Sequence, residues 1–188
     1  MSPSCTGMRI VKVGPGEHHV THDADVAIAT VLGSCVAACM RDPVAGVGGL
    51  NHFMLPESAD GVWSKVMASL RYGNFAMERL VNDILARGGD RTRLEIKLFG
   101  GGHLMQDSGR IGERNADYVE SYLRAEGMVP LVRQLRGKRA RRLVYHAVEG
   151  RAFMQELPEL DMAVAADERR FRAAMPPRLV AGAIELFD

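Results

Sequence analysis

A chain of 188 residues with 47% apolar and 25% charged side chains has the composition of one globular domain, and 24 basic against 23 acidic residues leave a net charge of +1 that argues for no particular charged partner. No stretch approaches the ~18 consecutive apolar residues of a membrane-spanning helix, and residues 1–20 carry charges and histidines where a secretory signal needs an apolar run, so the expectation is a cytoplasmic protein with no membrane insertion. The three cysteines, Cys5, Cys35 and Cys39, show no repeated spacing, which suits a reducing compartment better than a disulfide framework.

Residues 8–13 (MRIVKV) alternate apolar and polar positions and predict an edge strand ended by Gly14-Pro15-Gly16. A polar stretch holding His18, His19 and His22 follows. The run 26–40 (VAIATVLGSCVAACM) is small, apolar and β-branched, and predicts two buried strand segments joined by a tight turn at Leu32-Gly33-Ser34. After Arg41-Asp42-Pro43, residues 47–54 (VGGLNHFM) predict a third strand, completing a hairpin-like unit. Apolar residues near a 3.6-residue period, from Trp63 to Ile84, predict a helix over 62–86, weakened at Gly73 and stopped by Gly88-Gly89. A strand at 94–99 (LEIKLF) before three glycines, a helix at 115–125, and two strands at 142–148 and 151–157 around Glu149-Gly150 complete the pattern.

Strands and helices mix without a regular βαβ repeat, so the expected fold is α+β: a layered sandwich of mixed or largely antiparallel sheet with flanking helices. The character changes after Pro158. An alanine-rich acidic piece, the run RRFR at 169–172, Pro176-Pro177 and a short apolar end give a domain over 1–158 and a C-terminal extension over 159–188. That extension reads as a segment lying on the domain surface, with a docking helix as the sharper alternative.

The pair with chemistry in it is Cys35 and His52. A cysteine directly after a Gly-Ser turn has exposed backbone N–H groups beside it, which lower a thiol pKa and stabilise an oxyanion. His52, seventeen residues on, falls on the adjacent strand of the hairpin-like unit, where the two side chains can meet across the pair while Asn51 faces the other way. The plainer alternative is a small core cysteine and a structural histidine. Metal binding fits less well, because Cys35 and Cys39 on one extended strand would stand about 13 Å apart. His18, His19 and His22 belong to no pattern of known ligand spacing, so no metal site is expected. The stretch 133–142 carries six basic residues and no acidic one. With no interleaved aromatic it predicts a solvated basic loop facing an acidic partner in preference to a nucleic-acid site.

Several strings together resemble the CheD family of chemoreceptor glutamine deamidases of bacterial chemotaxis: TVLGSCV at 30–36, RDP at 41–43, NHFMLP at 51–56, YGNFAM at 72–77, KLFGG at 97–101 and IGERN at 111–115. They cover residues 8–157 in the family's order. The resemblance implies a cysteine hydrolase, a protein-glutamine glutaminase that converts selected glutamines of methyl-accepting chemotaxis receptors to glutamate, with action on receptor methyl esters also described in the family. It implies Cys35 as nucleophile, His52 as base, and no cofactor. The family's third catalytic residue is a threonine upstream of the turn. Thr30 stands five residues before Cys35, whereas some members carry the threonine six before it, where this chain has Ala29. A one-residue offset on a strand reverses the face, so either the turn is one residue shorter here or another group fills the role.

Gly33 and Ser34, next to the nucleophile, would hold the oxyanion. Phe99, Gly100 and Gly101, with Glu113, Arg114 and Asn115, would form a rim for a receptor helix. The structural alternative is that the glycines permit a tight turn and Asn115 caps its helix. At 134–142 (QLRGKRARR) the chain departs from the family's Asp-x-Gly-Gly loop, with Gln134 and Arg136 in place of the Asp and the first Gly. Two functional classes follow. One is an active deamidase; the other is a noncatalytic adaptor binding receptors or a CheC-type phosphatase, a partner class the family implies. Retention of Cys35 and His52 at the family spacing favours the enzyme.

Overall fold

The run 26–40 is apolar on both alternations, and strands of that kind are stable only where both faces of the sheet are covered. The computed structural model, which describes residues 7–55, 63–103, 110–158 and 162–174 apart from the side chains at 63–71, 162–165, 169 and 172, meets that demand with three layers. The strands are β1 (Arg9–Lys12), β2 (His18–Thr21), β3 (Val26–Leu32), β4 (Val36–Asp42), β5 (Val47–Phe53), β6 (Glu95–Gly100), β7 (Val132–Leu135), β8 (Arg141–His146) and β9 (Arg151–Glu156). The helices are α1 (Trp63–Ala86), α2 (Ile111–Ala125) and α3 (Met162–Ala174), with a single 3-10 turn at Arg91–Arg93.

One sheet has the order β1-β3-β8-β9 and the other β2-β5-β4-β6-β7. Both are mixed: β1 runs parallel to β3 and β7 parallel to β6, and the remaining pairs are antiparallel. The expected α+β sandwich of mixed sheets and flanking helices is the observed fold. Alternation along β4 shows how the layers are filled. Val36, Ala38 and Met40 join the core shared with Met77, Leu80, Val81 and Ile84 of α1 and with Val119 and Leu123 of α2. Ala37 and Cys39 face the other way, into the core between the sheets with Ile28, Leu143 and Tyr145. β4 is thus the middle strand of the middle layer, which is why it carries no large polar residue before Arg41.

Gly73 does not interrupt α1. The Tyr118 ring of α2 packs so close that a Cβ at position 73 would stand 2.4 Å from it, so the glycine lets the two helices approach. The helix at 115–125 begins four residues earlier than the sequence predicts, at Ile111. Two strands escaped prediction. β2 contains His18 and His19, read from the sequence as part of a polar stretch, and β7 occupies part of the stretch read as a basic loop. Both are four residues long and lie at opposite edges of the five-stranded sheet, where one face is wet and the apolar signal is weak.

The basic stretch is also corrected in its role. Arg136 pairs with Asp117 and Glu120, Arg139 with Glu156, and buried Arg141 donates to the carbonyls of Gly100, Gln134 and Arg136. Much of its charge is therefore spent inside the chain and not offered to an acidic partner. Among the described residues no helix is long and apolar enough to cross a membrane.

Candidate active site

β3 and β4 belong to different sheets, so residues 33–35 carry the chain from one layer to the other. At this crossing the backbone carbonyls point inward and are all bonded. Gly33 O accepts from Gly102 N and Cys35 O from Gly101 N, both at 2.7 Å, and Ser34 O accepts from Asn115 Nδ2 at 2.8 Å. With the carbonyls tied down, the N–H groups of Gly33, Ser34 and Cys35 converge on the opposite side as an anion-binding nest.

These contacts explain the FGG and IGERN strings and correct the expected rim. Phe99 is buried in the core between the sheets. Gly100 has φ +106, and a Cβ there would come within 2.2 Å of Cys35 O, so only glycine lets β6 run this close beneath the turn. Gly101 supplies the N–H that holds Cys35 O. Asn115 is fully buried inside α2, so it does not cap the helix; it bridges Ser34 O and Leu55 N. Gly100, Gly101 and Asn115 therefore brace the turn from below, while Phe99 lies in the core. Of the expected rim, only Glu113 and Arg114 reach the surface.

His52 pairs with Ala37 in the β4–β5 ladder, which sets Cys35 diagonally across from it on the face turned toward the other sheet. Asn51 points the opposite way, as the alternation predicts, and its side chain bonds Ala38 N and Ala76 O. Thr30 reaches His52 from the other sheet. Its Oγ1 lies 2.8 Å from His52 Nδ1 and donates to Val13 O at 2.7 Å. A hydroxyl has one proton, so with that proton on Val13 O the imidazole Nδ1–H must be the donor to Thr30. The remaining nitrogen, Nε2, then carries the free lone pair, and it is buried with no partner among the described residues. Burial holds the His52 pKa down to about 4, against an opposing pull from the Glu168 carboxylate, so the ring is neutral at neutral pH.

The sequence missed Glu168. Its carboxylate fills the nest, accepting from Gly33 N at 2.9 Å and Cys35 N at 3.1 Å through Oε1, and from Ser34 N at 3.1 Å and Ser34 Oγ at 2.7 Å through Oε2. The expected lowering of the Cys35 pKa is reversed. Burial pushes the thiol well above its ordinary value, and the negative charge of Glu168 and a hydrogen bond to it add to the rise. The only sequence signal for this contact was a helical period linking Glu168 to Phe171, one turn on, and the adjacent arginines obscured it. His18, one of the three histidines weighed as ligands, pairs with Asp83 at 2.5 Å.

A family model described as CheD chemotactic sensory transduction matches residues 54–156. The chain is 53% identical over 178 residues to a probable chemoreceptor glutamine deamidase CheD of Rhodopseudomonas palustris, an alignment covering 94% of this chain and 84% of the relative. A protein of the same description from Acidiphilium cryptum is 45% identical over 181 residues, covering 95% and 94%. One from Caulobacter vibrioides is 45% identical over 177 residues, covering 94% and 92%. The matched family segment starts beyond Cys35 and His52, whereas the full-length relatives align across both positions.

Proposed function

The chain belongs to the CheD family, and from that premise we propose that it deamidates glutamine side chains of chemotaxis receptors, with Cys35 as nucleophile, His52 as general base and Thr30 as the group that orients the base. The observation that carries this reading is the state of His52. Its Nδ1–H is anchored on Thr30, its Nε2 is buried with no partner among the described residues, and the residue stands diagonally across the strand pair from Cys35.

The reaction follows from these groups. His52 Nε2 takes the Cys35 proton, and the thiolate attacks the glutamine side-chain carbonyl carbon. The N–H groups of Gly33, Ser34 and Cys35 hold the oxygen as its charge develops. Collapse breaks the carbon–nitrogen bond; the imidazolium returns its proton to the leaving nitrogen, which departs as ammonia. Neutral His52 then draws a proton from water, the hydroxide attacks the thioester, and the thiol leaves with that proton as glutamate forms. Acyl transfer of this kind calls for no cofactor.

We infer that it works in the cytoplasm on chemotaxis receptors and that a CheC-type phosphatase is a second partner, the latter checked by co-purification. Receptor peptides incubated with wild-type protein and with Cys35→Ala, then read by mass spectrometry, test the activity. Glutamine is converted to glutamate by the first and not by the second; conversion by both, or by neither, sinks the assignment.

A further inference from the structure

Glu168 is buried to 8% exposure although Asp167 and Arg170 of the same helix are exposed, and no cation pairs with it among the described residues. Its carboxylate is held by four donors of the Cys35 turn. Phe171, on the same face of α3, packs over Gly16, where a Cβ would stand only 2.8 Å from its ring, and joins the core between the sheets. The helix is thus fastened by an apolar contact that does not need the carboxylate. Beside it a cleft of about 630 Å³ runs between β1, β3 and α3, reaching His52 and Thr30 and bordered by Asp167 and Glu168.

A glutamate side chain is the product of glutamine deamidation, and the N–H groups that hold Glu168 are those assigned above to the reacting oxygen. We propose that α3 is a tethered product mimic: Glu168 fills the subsite for the reacting side chain, and a glutamine presented on a helix of another protein must displace it. The inference rests on the deamidase reading and adds to it a closed state and a geometry for the incoming group. In the closed state the nucleophile is masked twice. The oxyanion donors are occupied, and the thiol lies buried beside a negative charge that opposes thiolate formation. A helix-borne glutamine entering where α3 lies would remove that charge while meeting the same donors.

Alkylation of Cys35 by iodoacetamide, followed by peptide mass spectrometry, reads closure without any substrate. In the full chain, Glu168→Ala is expected to raise the Cys35 rate about tenfold or more, while Cys39 stays slow in its core position. Arg170→Ala, on the exposed side of the same helix, is expected to leave both rates unchanged. Equal Cys35 rates in wild type and Glu168→Ala overturn the proposal. Should Glu168→Ala loosen the fold, Cys39 labelling rises with Cys35, and Glu168→Gln then decides. It keeps the size of the side chain but turns one acceptor oxygen into a donor facing N–H groups, so Cys35 alone is expected to speed up, and no change overturns closure. The two readings fail separately: unmasking of Cys35 in a protein that converts no receptor glutamine removes the deamidase assignment, whereas conversion by wild type with unchanged labelling in both Glu168 variants removes the mimic.

Discussion

Thr30 and His52 come from different sheets, and a 2.8 Å hydrogen bond joins Thr30 Oγ1 to His52 Nδ1. Because the threonine proton goes to Val13 O, this contact sets the imidazole tautomer and leaves Nε2 as the basic nitrogen. Thr30→Val keeps the β-branched shape and removes the acceptor. An orienting bond of this kind is worth about 1–3 kcal/mol, so kcat/KM for receptor glutamine is expected to fall roughly 5- to 150-fold, chiefly through kcat. Thr30→Ser, which keeps the hydroxyl, should recover most of the loss. Unchanged kinetics in Thr30→Val would remove Thr30 from the site.

Asn115 tests the brace beneath the turn. Its side chain serves Ser34 O and Leu55 N, both away from water, and Asn115→Ala leaves the two groups unpaired. Each orphaned group costs about 1–3 kcal/mol, which urea unfolding should register as a lower midpoint at constant slope. Turnover should fall as well, because the turn loses one of its three carbonyl anchors. An unaltered midpoint would show that the loop rests on the Gly101 and Gly102 contacts alone.

Gly100 and Gly46 separate crowding from backbone preference. Both have positive φ, +106 and +63, but a Cβ at Gly100 meets Cys35 O at 2.2 Å whereas nothing lies within 4 Å at Gly46. Gly46→Ala should therefore cost only the left-handed strain of about 1 kcal/mol. Gly100→Ala should cost clearly more and displace the nucleophile, seen as lost activity together with a lower Tm. Similar Tm shifts for the two variants would contradict the close approach.

Asp42, at the end of β4, accepts from Arg93 and from the backbone N–H groups of Val44, Ala45 and Asp90. Those bonds, led by Arg93, hold its carboxyl well below the usual range although burial pulls the other way. The unfolded chain therefore takes up this proton first. The stability Asp42 confers is complete above the unfolded pKa of about 3.9 and drains away as pH falls through and below it. Melting curves between neutral pH and about pH 2.5 should show wild type losing stability in that acid range, with a shallower slope in Asp42→Asn, which starts lower. Parallel slopes would mean that other carboxylates dominate acid unfolding.

The turn N–H groups that would favour a Cys35 thiolate are taken by the Glu168 carboxylate. In the folded chain both thiols are fully buried and both are raised by burial, so wild-type Cys35 should label slowly until α3 is displaced.

What was legible in the residues is local. The apolar run 26–40 announces two strands buried on both faces, the hairpin of β4 and β5 puts Cys35 and His52 on one face and Asn51 on the other, and the glycines after Phe99 mark a turn. Each of these follows from a period of two or a turn chemistry within about 20 residues. The third member of the site shows where counting stops. Thr30 and Ala29 differ by one position on β3, and parity along the strand does not carry through the bend at residues 33–34, where the chain passes between sheets. Only the packing of one sheet on the other places Thr30, not Ala29, against His52. Glu168 lies further still from any sequence rule, since it meets the turn across more than 130 residues. A helix of 13 residues with a mixed face carries no mark of where it will dock. The sequence by itself thus determined that Cys35 and His52 share one face of one sheet, because that relation is set by short-range periodicity. Which hydroxyl meets His52, and which carboxylate fills the nest, were decided by contacts between layers, where shape and burial act and spacing along the chain has no say.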